Sequence, residues 1–107
     1  MDIELTLDPV LRSFREALSE LYGAALDRVV LFGSRARGEA GPESDYDIAV
    51  FLKEVGPGMT EWNRLADLRL RFLDAGGPFF DAIPFRASDY DSHRPIMHEI
   101  RRDGLIL

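Results

Sequence analysis

Asp45 and Asp47 stand two residues apart at the head of an otherwise apolar run, YDIAVFL. Carboxylates are costly inside an apolar strand, so this pair asks for a chemical reason. Side chains alternate faces along a strand. Tyr46, Ile48, Val50 and Leu52 therefore point one way, and Asp45, Asp47, Ala49 and Phe51 the other. The first set is wholly apolar or aromatic and forms the core face. The two acids share the opposite face, with Cα atoms about 6.6–7 Å apart. Like charges that close repel unless something neutralises them. A divalent cation does so, and hard oxygen ligands suit magnesium. Asp81 repeats the pattern between Phe80 and Ala82 in a second apolar run, FFDAIPF. If the two strands are neighbours, Asp81 meets the other acids on one face. Three such carboxylates can hold two metal ions about 3.5–4 Å apart. One ion lowers the pKa of an attacking hydroxyl, and the other steadies leaving phosphates.

A Gly-Ser step supplies the complementary half. Gly33 and Ser34 end the run RVVLF and begin the polar loop GSRARGEAGPES. Gly33 lets the backbone approach a ligand closely, and Ser34 adds a hydroxyl donor. If residues 34–38 open a short helix, its free N–H groups form an anion site. Arg35 and Arg37 lie beside it, within reach of a triphosphate. The GxxxxGK[ST] pattern of a Walker A loop is absent. An EF-hand fails too, because its glycine and closing glutamate are missing.

Four helical or turn segments and three strands must position these groups. Asp8-Pro9 reads as a helix N-cap with proline at the first position, followed by Val10, Leu11, Phe14, Ala17, Leu18 and Leu21 at helical spacing. Gly23 ends that helix. Residues 28–32 and 46–52 read as strands. After a loop at 53–58, Thr60 caps a helix whose apolar stripe is Trp62, Leu65, Ala66, Phe72 and Leu73. Gly76-Gly77-Pro78 stops it. Residues 79–85 form a third strand, in which Pro84 argues for an edge position or an interruption near its end. Pro95 opens a last helix, with Ile96, Met97 and Ile100 inward, and Gly104 closes it. The order αβαβαβα predicts an α+β fold: a mixed three-stranded sheet with helices mainly on one face.

The chain has 107 residues, which is one small domain, residues 1–107. Net charge is −6, which argues against binding polyanions through the global field. Lys53 is the only lysine, so the positive charge is nearly all arginine. There is no cysteine, hence no disulfide or thiolate metal site, as suits a reducing cytosol. The acidic start, MDIELTLDPV, has no basic region followed by an apolar run and is not a signal peptide. No apolar run reaches the length of about 20 residues needed to span a membrane. The expected location is cytoplasmic.

Gly33-Ser34, ten further residues and then Asp45-Tyr46-Asp47 resemble the signature of the DNA polymerase β-like nucleotidyltransferase superfamily. The spacing, the GSRARG sequence and the short chain resemble its minimal branch, the MNT proteins, over about residues 28–107. The resemblance implies a small nucleotidyltransferase fold, with ATP as the expected substrate and two Mg2+ ions. It implies transfer of a nucleoside monophosphate to a hydroxyl with release of pyrophosphate. Gly33 and Ser34 would bind the β and γ phosphates, with Arg35 and Arg37 beside them. Asp45 and Asp47 would ligate the metals. Asp81 would complete the first metal site and help activate the acceptor, with Asp74, Asp89 and Asp91 as nearby alternatives. Members of this branch are typically paired with a HEPN-domain protein that resembles an RNase toxin, the MNT protein acting as antitoxin. Some of these antitoxins attach AMP to a tyrosine of the toxin. A protein acceptor and a hetero-oligomer are therefore expected, without direct binding of nucleic acid or membrane. The alternatives are a module that masks the toxin by contact alone, an enzyme for small hydroxyl compounds such as aminoglycosides, and a nucleic-acid end-extending polymerase, against which the net charge of −6 weighs.

Other residues carry blander readings. His93 and His98 lack a paired acid at a telling spacing and are assigned structural or surface roles. Glu43 decorates the loop. Trp62 and the Phe72-Leu73 pair are expected in the core, and Phe79-Phe80 partly in the core and partly at an interface. Arg94, Arg101 and Arg102 form a solvated helix end. The tail Leu105–Leu107 packs on the sheet or on a partner.

Overall fold

The computed structural model describes residues 8–41 and 45–107. The first seven residues and Glu43 lie outside that range. Helix α1 spans Pro9–Tyr22. The Asp8 side chain accepts hydrogen bonds from the amides of Val10 and Leu11 at 2.9 and 3.2 Å, satisfying two of the orphan donors at the helix start. Leu11, Phe14, Leu18 and Tyr22 repeat at helical spacing and are buried. Strand β1 is Leu26–Phe32, β2 is Tyr46–Leu52, α2 is Thr60–Asp74, β3 is Phe80–Arg86, α3 is Pro95–Asp103 and β4 is Leu105–Ile106. Short 3-10 turns lie at Gly23–Ala25 and Ala87–Asp91.

The sheet order is β3-β2-β1-β4. β1 runs antiparallel to both β2 and β4, and β2 is parallel to β3 with α2 as the crossover. Pro84 does sit in an edge strand, where its missing N–H leaves no gap in a central ladder. The sheet is mixed, as expected, but has four strands among the described residues rather than three. The fourth is the apolar tail: Leu105 and Ile106 pair with Leu31 and Val30. Two residues carry too little alternation to read as a strand, and the partner edge of β1 is what makes them one.

Two of the three described helices lie on one face. There Leu11, Phe14 and Leu18 of α1 and Leu65 and Leu68 of α2 meet Val29, Leu31, Tyr46, Ile48, Val50, Leu52, Phe80 and Ala82. Phe14 stacks on Phe80 at 4.0 Å between ring centres. The opposite face is also covered. Val30, Phe32, Ala49, Phe51, Phe85, Met97 and Ile100 form a second buried layer under α3. Both faces of β2 are thus apolar beyond Asp47, which explains its near-continuous hydrophobic run.

Two further expectations change, and an open one is decided. Of the two alternatives left open for residues 34–38, short helix or turn, the structure has the turn, so among the described residues no helical segment separates β1 from β2. Thr60 starts α2 without capping it, its hydroxyl donating to the Pro57 carbonyl at 2.6 Å. The buried face of α2 is Glu61, Leu65 and Leu68, with Phe72 packed against the core. Trp62 and Leu73, expected inside, are 43% and 45% exposed. Each lies one residue on from a core position, a rotation of about 100°.

Candidate active site

The register brings the acids together. Asp47 stands opposite Asp81 in the parallel pair and opposite Phe32 in the antiparallel pair. Asp47 and Asp81 share the face that carries Ala49, Ile83 and Phe85, at the end of the sheet where β1 finishes and β2 and β3 begin. Gly33 follows β1 directly, with φ +75°. A Cβ at Gly33 would overlap the Asp47 carboxylate. The chain can therefore turn against this acid only with glycine there. This contact is the tightest expression of the Gly-Ser and Asp-x-Asp pairing seen in the sequence.

Past Gly33 the turn is closed by the Arg37 amide to the Gly33 carbonyl at 3.2 Å, and by the Glu39 amide to the Ser34 carbonyl at 2.9 Å. Ser34 is partly exposed on this turn. The Arg35 guanidinium lies 4.0 Å over the Tyr46 ring, and the Tyr46 hydroxyl donates to Asp8 at 2.7 Å. This pairing anchors the residue between Asp45 and Asp47 to the cap of α1. Arg37 instead reaches Glu39 at 3.0 Å and Glu99 of α3 at 3.2 Å.

Electrostatics agree with the geometry. Partial burial, then the charges of Asp81, Asp45 and Glu99, hold the Asp47 carboxyl above its ordinary range, with Arg37 pulling the other way. Asp81 has a cation of its own: the Arg69 guanidinium lies 3.8 Å away and 5.2 Å from the Phe79 ring. Asp45 is exposed at the start of the strand. Among the described residues, no three acids or histidines stand close enough to hold a metal as placed. The site thus has two strand-borne acids in register and a third at its mouth. An all-oxygen donor set with mutually repelling charges fits a hard divalent cation.

Glu99 is the residue that sequence reasoning missed. It is a lone acid on a helix far along the chain, and only the packing of α3 on the sheet brings it to the Gly-Ser turn. His93 and His98 are exposed, in keeping with surface roles. Asp89 and Asp91 belong to the 3-10 turn after β3, past the end of the strand from Asp81. Arg101 donates to the carbonyls of Tyr90 and Ser92 and so ties α3 to that turn. Two clefts of about 290 and 360 Å³ open at the far end of the sheet around Glu61, and neither is lined by the three acids.

Comparison with known proteins places the chain in a family. The model of the nucleotidyltransferase domain family fits residues 11–91, most of the chain. A protein of Methanocaldococcus jannaschii, provisionally named a protein adenylyltransferase, is 35% identical over 63 residues. That match takes in 59% of this chain and 63% of the relative. Chains in solved toxin–antitoxin structures share the fold. One, described as bound to AMP-PNP, has TM-score 0.59 at 19% identity over 88% of this chain and 69% of its own. Another, a mutant of the pair MntA-HpeT, has TM-score 0.61 at 17% identity over the same shares. A further MntA-HpeT mutant has TM-score 0.61 at 20% identity, covering 90% of this chain and 70% of its own. With the Gly-Ser turn seated on the Asp47 carboxylate and the family match spanning both, the chain belongs to the nucleotidyltransferase domain family.

Proposed function

We propose that the chain transfers AMP from ATP to a hydroxyl group of a protein, and that it serves as an antitoxin by modifying a HEPN-family toxin. The observation that carries this reading is the contact of Gly33 with Asp47, with Asp81 in register beside it. It sets the backbone of the Gly-Ser turn directly against one of two carboxylates held in register. The relative named as a protein adenylyltransferase and the fold shared with toxin–antitoxin chains support it.

In this reading Asp45 and Asp47 hold magnesium, with Asp81 completing the set. Bound there, magnesium would neutralise phosphate charge and lower the pKa of the acceptor hydroxyl. The chain's own groups do the rest. The turn at Gly33 and Ser34 seats the β and γ phosphates, and Arg35 and Arg37 supply positive charge at its rim. Asp81 takes the acceptor proton. The acceptor oxygen bonds to the α-phosphorus as the bridging bond to pyrophosphate breaks. Arg69 steadies Asp81 from the side of α2.

A second reading, masking by contact alone, draws on one observation. Met59, Trp62, Leu70 and Leu73, on and just before α2, are exposed and line one side of that helix.

The test uses the protein encoded beside this one, magnesium and ATP labelled at the α phosphate. Label should pass to the neighbour with this chain and not with Asp45→Ala/Asp47→Ala. If the double variant forms an equally tight complex and no label ever transfers, masking replaces catalysis. Loss of one metal-binding acid commonly costs at least about 10²-fold in rate, as loss of other electrostatic stabilisers does.

A further inference from the structure

The three strongest features outside the three acids are the cleft around Glu61, the exposed side of α2 and the tie between the Gly-Ser turn and α3. The tie is carried by the most specific contacts. Arg37 closes the turn with its backbone, its amide donating to the Gly33 carbonyl at 3.2 Å. Its guanidinium reaches out of the turn to Glu99 at 3.2 Å. Glu99 sits on a rigid support. Its neighbours Met97 and Ile100 are buried against the sheet, and the helix is held to β1 at its end. There the Gly104 amide donates to the Ile100 carbonyl at 2.9 Å, and a Cβ at Gly104 would overlap that carbonyl and the Val30 side chain. Arg37 is therefore a strut between a helix packed on the sheet and the glycine-flanked turn.

We infer that Glu99 is a positioning residue for the phosphate-binding turn: through Arg37 it fixes the turn at its distance from Asp47. The inference rests on the nucleotidyl-transfer reading for its purpose, though its physical claim stands apart from it. A turn held in place before the triphosphate arrives binds it without first losing conformational freedom. Glu99 touches no substrate in this account. Its neighbour in the pair, Glu39, belongs to the same loop as Arg37 and cannot fix that loop to the body of the protein.

Three variants test it: Glu99→Gln, Arg37→Gln and the double. Amide hydrogen exchange of the free protein reads the turn directly. The amides of Arg37 and Glu39 should exchange about three- to fivefold faster in each single variant, the size of effect expected from a solvent-exposed ion pair. The double variant should exchange no faster than Arg37→Gln, and Glu99→Asp should restore part of the protection. The melting temperature should not move, because both partners are at the surface. AMP-PNP binding with magnesium should weaken by a similar factor in Glu99→Gln, and the rise should fall on KM for ATP rather than on kcat. Unchanged exchange in Glu99→Gln overturns the inference, whatever the nucleotide does, as does an additive double variant. Faster exchange in a protein whose wild type binds no AMP-PNP keeps the strut and removes the nucleotidyl-transfer reading instead.

Discussion

At the residue scale the site is set by one missing side chain and one repelled charge. Gly33→Ala should both strain the backbone at φ +75° and drive a methyl into the Asp47 carboxylate. A cost of about 1–3 kcal/mol is expected, read as a lower denaturation midpoint, together with loss of label transfer. Asp47 gives a pH prediction of definite sign. Its folded pKa is raised, so the folded protein holds this proton more tightly than the unfolded chain. Stability from this group is then greatest below the ordinary carboxylate pKa and is lost as pH rises through the raised one. Asp47→Asn removes that loss. Without divalent metal at neutral pH, the variant should melt slightly above the wild type in a calorimeter, while losing activity. A variant that melts lower would show that Asp47 has more compensation than Arg37 provides. These residues were legible in the sequence because glycine, serine and acids at fixed spacing are rare inside apolar runs. Glu99 was not legible, since nothing local distinguishes it from any exposed helical glutamate.

At the element scale the strands were easier to read than the faces of the helices. Residues 46–52 form an apolar run broken only by Asp47, so the bounds of the strand follow from the run, and the structure matches them. Helix α2 misled because it carries two apolar sides. Leu65 and Leu68 face the core while Trp62, Leu70 and Leu73 face out. Periodicity alone cannot rank two apolar stripes a rotation apart. Mutation separates them. Leu68→Ala should cost about 2–5 kcal/mol, whereas Leu70→Ala should stay within about 0.5 kcal/mol, both measured by urea unfolding. The junction of α3 and β4 makes a sharper prediction. Gly104→Ala places a methyl against the Ile100 carbonyl and Val30, so it should cost about 1–3 kcal/mol and loosen β4 first. The sequence left residues 34–38 open between a short helix and a turn, and the turn wins because its few backbone bonds are too few to nucleate a helix.

At the scale of the molecule, apolar layers on both faces of the sheet leave the polar chemistry to its end. The acids, the Gly-Ser turn and Arg37 all gather where β1 stops and β2 and β3 start. Net charge of −6 bears on what approaches that end. A labelled oligonucleotide should show no retardation with this chain at moderate salt, and retardation would favour an end-extending polymerase. No described helix is long and apolar enough to cross a membrane.

The parallel pairing of β2 with β3 also has a history in time. β1 and β2 are joined by a loop and can pair early, which seats Gly33 on Asp47. Asp81 arrives only after α2 has formed and carried the chain back across the sheet, a closure that is slow because it is non-local. A chain newly made, or partly unfolded, thus holds half a site, with Asp47 beside Asp45 alone. Competence comes with β3, so transfer activity reports the β2–β3 pairing more strictly than any signal from helix α1 or the β1–β2 pair.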